Sequence, residues 1–552
     1  MASSSRYSLG NSSQYSDSIS DLSRQSSGQS QHSTSSSYSS TGHDLYHQLS
    51  SRIVKCDNEQ QTQALSRVSF LPLDAVDEVI TTDMIKTHTS SWYGWWKGYN
   101  PAEMAAGAKI VFAILGLFGM EKLFLKLFIE GLRDEHLPLA RRCGRGHPND
   151  LYSPRGDRFE TFSTGGPSYT MAVDSFLQKQ WQVLAPVFNM SGGDIRIHGD
   201  AALPFYDIQK KSALNNRSTV YKALLHAAHI RPKMKNAVEI AIKDYTEKED
   251  FDKEKENLLK IKDVDNPHLI RHIATIQQGK LFYVIFPWAN GGTLLEFWNG
   301  DPTAVPTRNH QIFMWCLQQM LGLVDALFAL HDMNCRHGDL KPENILHFKD
   351  LTKIGEFGTL VIADVGVSKF HSLATENRRD PTNTNATTPC YEAPEAVTDR
   401  KRPRGRRYDI WSVGCMFMEF TIWLLYGYQA IHNFEQRRRE NDDPFPHKAP
   451  YYEVTGPHTA IVHPVVSYGL KALEKDPRCA KGTGLASFIN LIAKDLIVVE
   501  PEKRVKAGEL KGRLRGIVER AGEDPGYLMK RVEPPPRIPV PFTPGKCGDG
   551  NG

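Results

Sequence analysis

The chain has 552 residues, with 67 basic against 63 acidic side chains, 40% apolar residues and 24% charged ones. This is the balance of a soluble globular protein, and it excludes a wholly disordered chain and a polytopic membrane protein. A formal charge of +4 gives no concentrated basic face for specific nucleic-acid binding, and the eight cysteines form no CxxC pair, which excludes a zinc or disulfide framework and suits a reducing compartment.

Residues 1–60 are expected to be a disordered tail, because the serine-rich start offers too little apolar surface to offset the entropy of ordering. It has no apolar core of signal-peptide type, so a cytoplasmic location is expected. Residues 74–190 carry a helical pattern. Within them, Ala105 to Leu132 is dense in apolar residues, with Lys122, Lys126 and Glu130 as a polar stripe. Ile110 to Phe118 is bounded by Lys109 and Glu121 and falls short of the about 20 apolar residues a membrane span needs, so no transmembrane segment is expected. The segment from Phe176 to Phe188 is a second helical candidate, and Trp92, Tyr93, Trp95 and Trp96 form an apolar anchor for the core or for a protein partner.

After Pro204 the texture changes. Apolar runs at 237–242, 269–276 and 281–288 predict strands, and long helical patterns follow from Ile312 and from Asp409. Strands followed by helices predict an α+β architecture with two lobes over 204–518. Residues 519–552, rich in proline and then glycine, are expected to form an extended tail.

The chemistry-bearing motifs lie in this second half. They are EIAIKDY with Lys243, HGDLKPENIL from His337 to Leu346, ADVGVSKF with Asp364 and Gly366, and TTPCYEAPE from Thr387 to Glu395. Each is weak alone, but the ordered set resembles the eukaryotic protein kinase superfamily over about residues 204–515. With IFPWANGG and a helical region upstream, the chain looks more narrowly like the divergent serine/threonine protein kinases of filamentous fungi. The resemblance implies a bilobal kinase-like fold, with a small β-rich lobe and a larger helical one. It also implies ATP and Mg2+ as cofactors and a protein substrate whose identity stays open.

The resemblance assigns the roles. Asp339 would accept or orient the substrate hydroxyl, and Lys341 would reach the transferred phosphate, as in the serine/threonine class. Asn344 and Asp364 would offer oxygens to magnesium, and Lys243 would hold the α- and β-phosphates. Phe286 stands at the gatekeeper position and Ala289 at the backbone donor and acceptor for adenine, with Val220, Ala241 and Leu346 sandwiching the base. Glu395 would pair with Arg504, and Asp409 would cap the catalytic loop. For the carboxylate partner of Lys243, Glu254 shares a helical face with Phe251, Leu258 and Ile261, whereas Glu256 turns away and Glu249 stays open.

Three departures from the family pattern stand out. The phosphate-covering loop reads ALNNRSTV, so Ala213, Asn215 and Ser218 occupy expected glycine positions and nucleotide binding should loosen. Gly338 replaces the arginine of HRD, which removes a switch through phosphorylated Thr387 or Thr388. Val365 replaces the phenylalanine of DFG, so an outward arrangement is expected to gain population. These departures motivate the alternative function, a pseudokinase acting as a nucleotide-sensing or scaffolding module. The basic run from Arg400 to Arg407 reads as a solvated loop, with acidic-substrate selection or a nuclear address as the other readings.

Overall fold

Strict alternation in VEIAIKDY sends Ile240, Ile242 and Lys243 to opposite faces of one strand, and both isoleucines are fully buried. That strand is the centre of the small lobe. The computed structural model describes residues 40–544 except 56–64, 66–68, 90–99, 143–146, 165–166, 215–216, 301–309, 350–356, 366–368, 371–388, 400–402 and 440–448. The tryptophan cluster at 92–96, Asn215, Gly366, Thr387 and Thr388 lie outside the described residues, as does the start of the basic run.

The described residues open on helix α1 (Ser40–Ser51), and α2 (Leu73–Val79), α3 (Lys109–Gly116), α4 (Phe124–Ile129) and α5 (Pro167–Val183) follow. Leu45 and Leu49, four residues apart on α1, are fully buried in one apolar core with Val111, Leu115 and Phe124. Residues 40–51, inside the tail expected over 1–60, are therefore helical, because an i, i+4 apolar pair gives α1 a face to bury. The single helix expected over 105–132 is likewise broken. Ala108 departs from helical geometry at φ −146°, and Gly119 turns the chain at φ +71°. The second candidate starts earlier, at Pro167, and stops at Val183, three residues before Pro186.

The small lobe is a six-stranded sheet of β1 (Gly193–Ile197), β2 (Phe205–Leu214), β3 (Ser218–Leu225), β4 (Val238–Tyr245), β5 (Ala274–Gln278) and β6 (Leu281–Pro287), in the order β1-β5-β6-β4-β3-β2. Only β1 is parallel to its neighbour; the rest form antiparallel pairs. The sheet thus starts upstream of residue 204, and the apolar run read at 269–276 enters its strand only at Ala274. Helix α6 (Lys248–Ile261) packs Phe251, Leu258 and Ile261 into the core shared with the large lobe.

The large lobe is built on α7 (His310–Asp332), the short strands β7 (Ile345–Phe348) and β8 (Thr359–Ile362), then α8 (Arg407–Tyr426), α9 (Tyr428–Arg438) and α10 (Ala507–Glu523). Among the described residues α7 is the one helix long and apolar enough to cross a membrane, and 61% of its apolar window is buried by the lobe around it. Helix α8 is buried almost from end to end, the pattern of a helix enclosed by protein on all sides. The segment beyond 519 is not a free tail through residue 544. Tyr527, Leu528 and Phe542 are buried, and Phe542 stacks on Tyr426 with ring centres 5.3 Å apart. An aromatic anchor inside a proline-rich stretch is enough to dock it.

Candidate active site

Cross-strand register decides which side chains share the cleft. Val220 pairs with Lys243, and Ala241, two residues earlier, pairs with Phe286. Residues opposite one another in an antiparallel pair point to the same face, so Val220, Ala241, Lys243 and Phe286 all lie on the face turned from the Ile240 and Ile242 core. From the other lobe, β7 brings Leu346 into a small apolar cluster with Phe286, Ile270, Val361 and Ala363. Val220 and Ala241 share the face but stand outside that cluster. Ala289 follows β6; its carbonyl accepts from Gly292 N at 3.0 Å, while Trp288 N donates to Glu239 O at 3.2 Å.

Lys243 meets two carboxylates. Its Nζ lies 2.7 Å from Glu254 Oε2 on α6 and 2.9 Å from Asp364 Oδ1 beyond β8, so one ammonium joins the two lobes. Glu249 and Glu256 make neither contact, and Glu256 instead pairs with Lys260 on the outer side of α6. Burial alone would depress the Lys243 pKa, but the charges of Asp364 and Glu254 outweigh it and hold the ammonium above its ordinary range. Burial pushes Asp364 up, and Lys243, with smaller help from His337 and Lys341, brings it below the usual carboxylate value. Glu254 is raised by its burial in spite of Lys243. The Tyr245 hydroxyl also donates to Glu254 Oε2, a partner on the same strand face as Lys243 that the motif reading did not single out.

The catalytic-loop residues are arranged by Asp409 at the start of α8. Its carboxylate accepts from His337 N at 2.9 Å and Gly338 N at 2.8 Å, and it shares a 2.8 Å hydrogen bond with His331 Nε2. Burial raises the pKa of Asp409, but His331, His337 and Arg336 bring it below the ordinary value, so it caps the loop as an anion. Lys341 Nζ sits 3.0 Å from Asp339 Oδ2. Asn344 Nδ2 donates to Asp339 O at 2.8 Å and to Oδ2 at 3.1 Å, which turns the amide so that its carbonyl oxygen stays free of that pair. Further along, Arg504 grips Glu395 through two parallel bonds of 2.8 and 2.7 Å.

Two of the departures acquire a structural account. Gly338 has φ +88°, and a Cβ there would stand 3.4 Å from the Nε of Arg336, whose guanidinium is buried over the Tyr408 ring and donates to Arg404 O at 3.1 Å. Val365 is not turned outward. It is 1% exposed in the core with Leu258, and Asn257 Nδ2 donates to its carbonyl at 2.8 Å. In this arrangement that hydrogen bond adds a hold on the backbone to the packing of the smaller side chain. Asn257 lies one turn from Glu254 on the buried face of α6. The preceding Asp364 takes φ +59°, a left-handed conformation held between Lys243 and this anchor. A cavity of about 600 Å3 lies away from this cluster, between the end of α7, the start of α8 and residues 499–508, lined by charges of both signs.

A six-stranded sheet, antiparallel but for β1, with a helix-borne Glu–Lys pair, closed over a loop presenting Asp339, Lys341 and Asn344, defines a bilobal fold of the α+β class. The protein kinase domain model matches residues 218–512, more than half the chain, and the chain belongs to that family. It is 29% identical over 189 residues to the serine/threonine-protein kinase PKH3 of Eremothecium gossypii, covering 33% of this chain and 24% of that protein. Cyclin-dependent kinase 2 of Caenorhabditis elegans is 25% identical over 295 residues, 52% of this chain and 72% of that one. Calcium/calmodulin-dependent protein kinase type I of Schizosaccharomyces pombe is 29% identical over 217 residues, 38% of this chain and 56% of that one. The chain spans about a quarter of the length of PKH3 and of mouse Nek5.

Proposed function

We propose that this chain is a serine/threonine protein kinase that transfers the γ-phosphoryl group of ATP to a protein hydroxyl. The observation that carries the reading is the single ammonium of Lys243 held by Glu254 from one lobe and Asp364 from the other. Phosphoryl transfer asks the protein for position and charge rather than for covalent chemistry. Lys243, kept charged by its two carboxylates, presents that charge to the α- and β-phosphates. Asp339 takes the proton of the substrate hydroxyl or orients that hydroxyl, and Lys341 beside it balances charge on the group in transfer. Lysine at this position supports the serine/threonine class. Adenine would lie between Val220 and Ala241 on one side and Leu346 on the other, with Phe286 behind it and the Ala289 backbone at its edge.

The donor set fits magnesium. Asn344 and Asp364 offer amide and carboxylate oxygens, which a hard cation prefers. Among the described residues no three His, Cys, Asp or Glu side chains converge to hold an ion alone. That suits a metal whose other ligands are phosphate oxygens and water, and when bound it neutralises charge on those oxygens. The IFPWANGG and HGDLKPEN segments, with the helical region ahead of the lobes, support a place among the divergent kinases of filamentous fungi.

The test uses Asp339→Asn. Transfer from labelled ATP to protein substrates is expected to fall at least about 100-fold, while the variant keeps the wild-type melting temperature. If folded wild-type protein transfers no more phosphate than the variant, the reading fails.

A further inference from the structure

The edge strand β1 belongs to the connection from the helical region and joins the sheet in parallel, next to β5. The chain leaves α5, pairs Phe188–Asn189 with Ile230–Arg231, turns at Gly192 with φ +81°, and enters β1 with Asp194 opposite Thr275. Asp194 Oδ1 accepts from Thr275 Oγ1 at 2.9 Å and lies 2.6 Å from Lys255 Nζ on α6. Burial raises the Asp194 pKa, but Lys255 and Thr275 bring it below the usual carboxylate value, so Asp194 meets Lys255 as a carboxylate.

Lys255 follows Glu254 directly. Helix α6 has no side-chain cap at its N-terminus, and several of its charges close on the helix itself: Lys253 with Asp250, Lys260 with Glu256, and Lys248 with Asp252. Glu254 and Lys255 instead reach two different strands, β4 and β1. Adjacent helical residues are about 100° apart around the axis. The buried apolar face and the Asn257 bond hold α6 toward the large lobe, and two charged anchors at this angle add a hold on its roll from the small lobe. The Lys255 ammonium also lies over the Phe251 ring, 5.9 Å from its centre, so the second anchor bears on a core contact of α6.

We propose that Asp194 is a positioning residue for phosphoryl transfer: through Lys255 it sets the roll of α6 so that Glu254 meets Lys243. The strand that follows the helical region thereby becomes part of the machinery that assembles the site. The proposal rests on the kinase reading for its catalytic consequence, but its structural claim is separable.

The experiment uses the full chain with Lys255→Met, Asp194→Asn, the double variant and Lys255→Arg. Each single change is expected to lower kcat about three- to tenfold with the KM for protein substrate unchanged and little change in melting temperature. Hydrogen exchange at the α6 amides is expected to speed up. The double variant should be no worse than either single one, because both remove the same contact, and Lys255→Arg should restore both readouts. Wild-type turnover and wild-type α6 exchange in Lys255→Met would overturn the proposal, as would additive losses in the double variant. If the wild type transfers no phosphate, the kinase reading falls, while α6 exchange in Lys255→Met still decides whether Asp194 holds the helix.

Discussion

Asn257 occupies a helix position where a polar residue looks like surface, yet it is 7% exposed and its amide is spent on the Val365 carbonyl. Removing the donor leaves a buried carbonyl unsatisfied, a cost of about 1–3 kcal/mol. Asn257→Ala is therefore expected to lower the unfolding free energy by that amount, read as a lower urea midpoint with the slope of the transition unchanged. It should also reduce phosphate transfer, because Asp364 is the residue next to the anchored peptide. Unchanged stability in that variant would mean that the packing of Val365 alone holds the segment. This contact was hidden from the sequence because the side chain at 365 was compared with the family's phenylalanine, whereas the bond is made to the backbone. Glu254 was legible for the opposite reason: Phe251, Leu258 and Ile261 mark the buried face, and a carboxylate on that face needs a cation. Tyr245 shares the alternation that places Lys243, so its approach to Glu254 is implicit in EIAIKDY.

At the scale of elements, periodicity succeeded where a helix or strand has two unlike faces. Strand β4 and helix α6 show such faces. In α3 the residues from Val111 to Gly116 are all buried, so the hydrophobic pattern carries no phase, and the breaks at Ala108 and Gly119 are set by backbone geometry. The stretch from 531 to 544 misled in another way. Its proline content describes most of the chain there, while its attachment depends on Phe542, packed against Tyr426 and Phe434, and on the Asn433 amide, which donates to Phe542 O at 3.0 Å. Phe542→Ala is expected to cost about 3 kcal/mol, the usual cost of emptying an aromatic site in a core. Thermal and denaturant unfolding would measure it, and protease cutting after 530 should become faster while the catalytic-loop contacts are retained. A loss under about 0.5 kcal/mol would show that the terminal segment is a passive cover.

At the scale of the whole molecule, the helical region joins the small lobe partly through His229, which is fully buried. Its Nδ1 lies 3.1 Å from Pro186 O, and its Nε2 accepts from Leu73 N at 3.4 Å, at the start of α2. With Nδ1 donating and Nε2 accepting, the ring is neutral and has no site for a second proton. Burial, with His226 beside it, outweighs the carbonyl contact and the charge of Asp74 and lowers its pKa from 6.5 to about 4. The sign follows directly. Between about pH 6.5 and 4 the unfolded chain binds a proton that the folded chain refuses, so folding stability falls as the pH falls through that window, by up to about 3 kcal/mol. His268, His272, His347 and His463 are also lowered by burial and act in the same direction, whereas Asp244, raised to about 6 by burial, acts against them. His229→Gln isolates the share of His229, since an amide can donate and accept at the two positions without titrating in this range. The expected result is a smaller drop in stability between about pH 7 and pH 5 for the variant, with α2 the first element to lose hydrogen-exchange protection in the wild type. Identical pH slopes for the two proteins would place the acid sensitivity in the other histidines and leave the junction between helical region and lobe indifferent to protons.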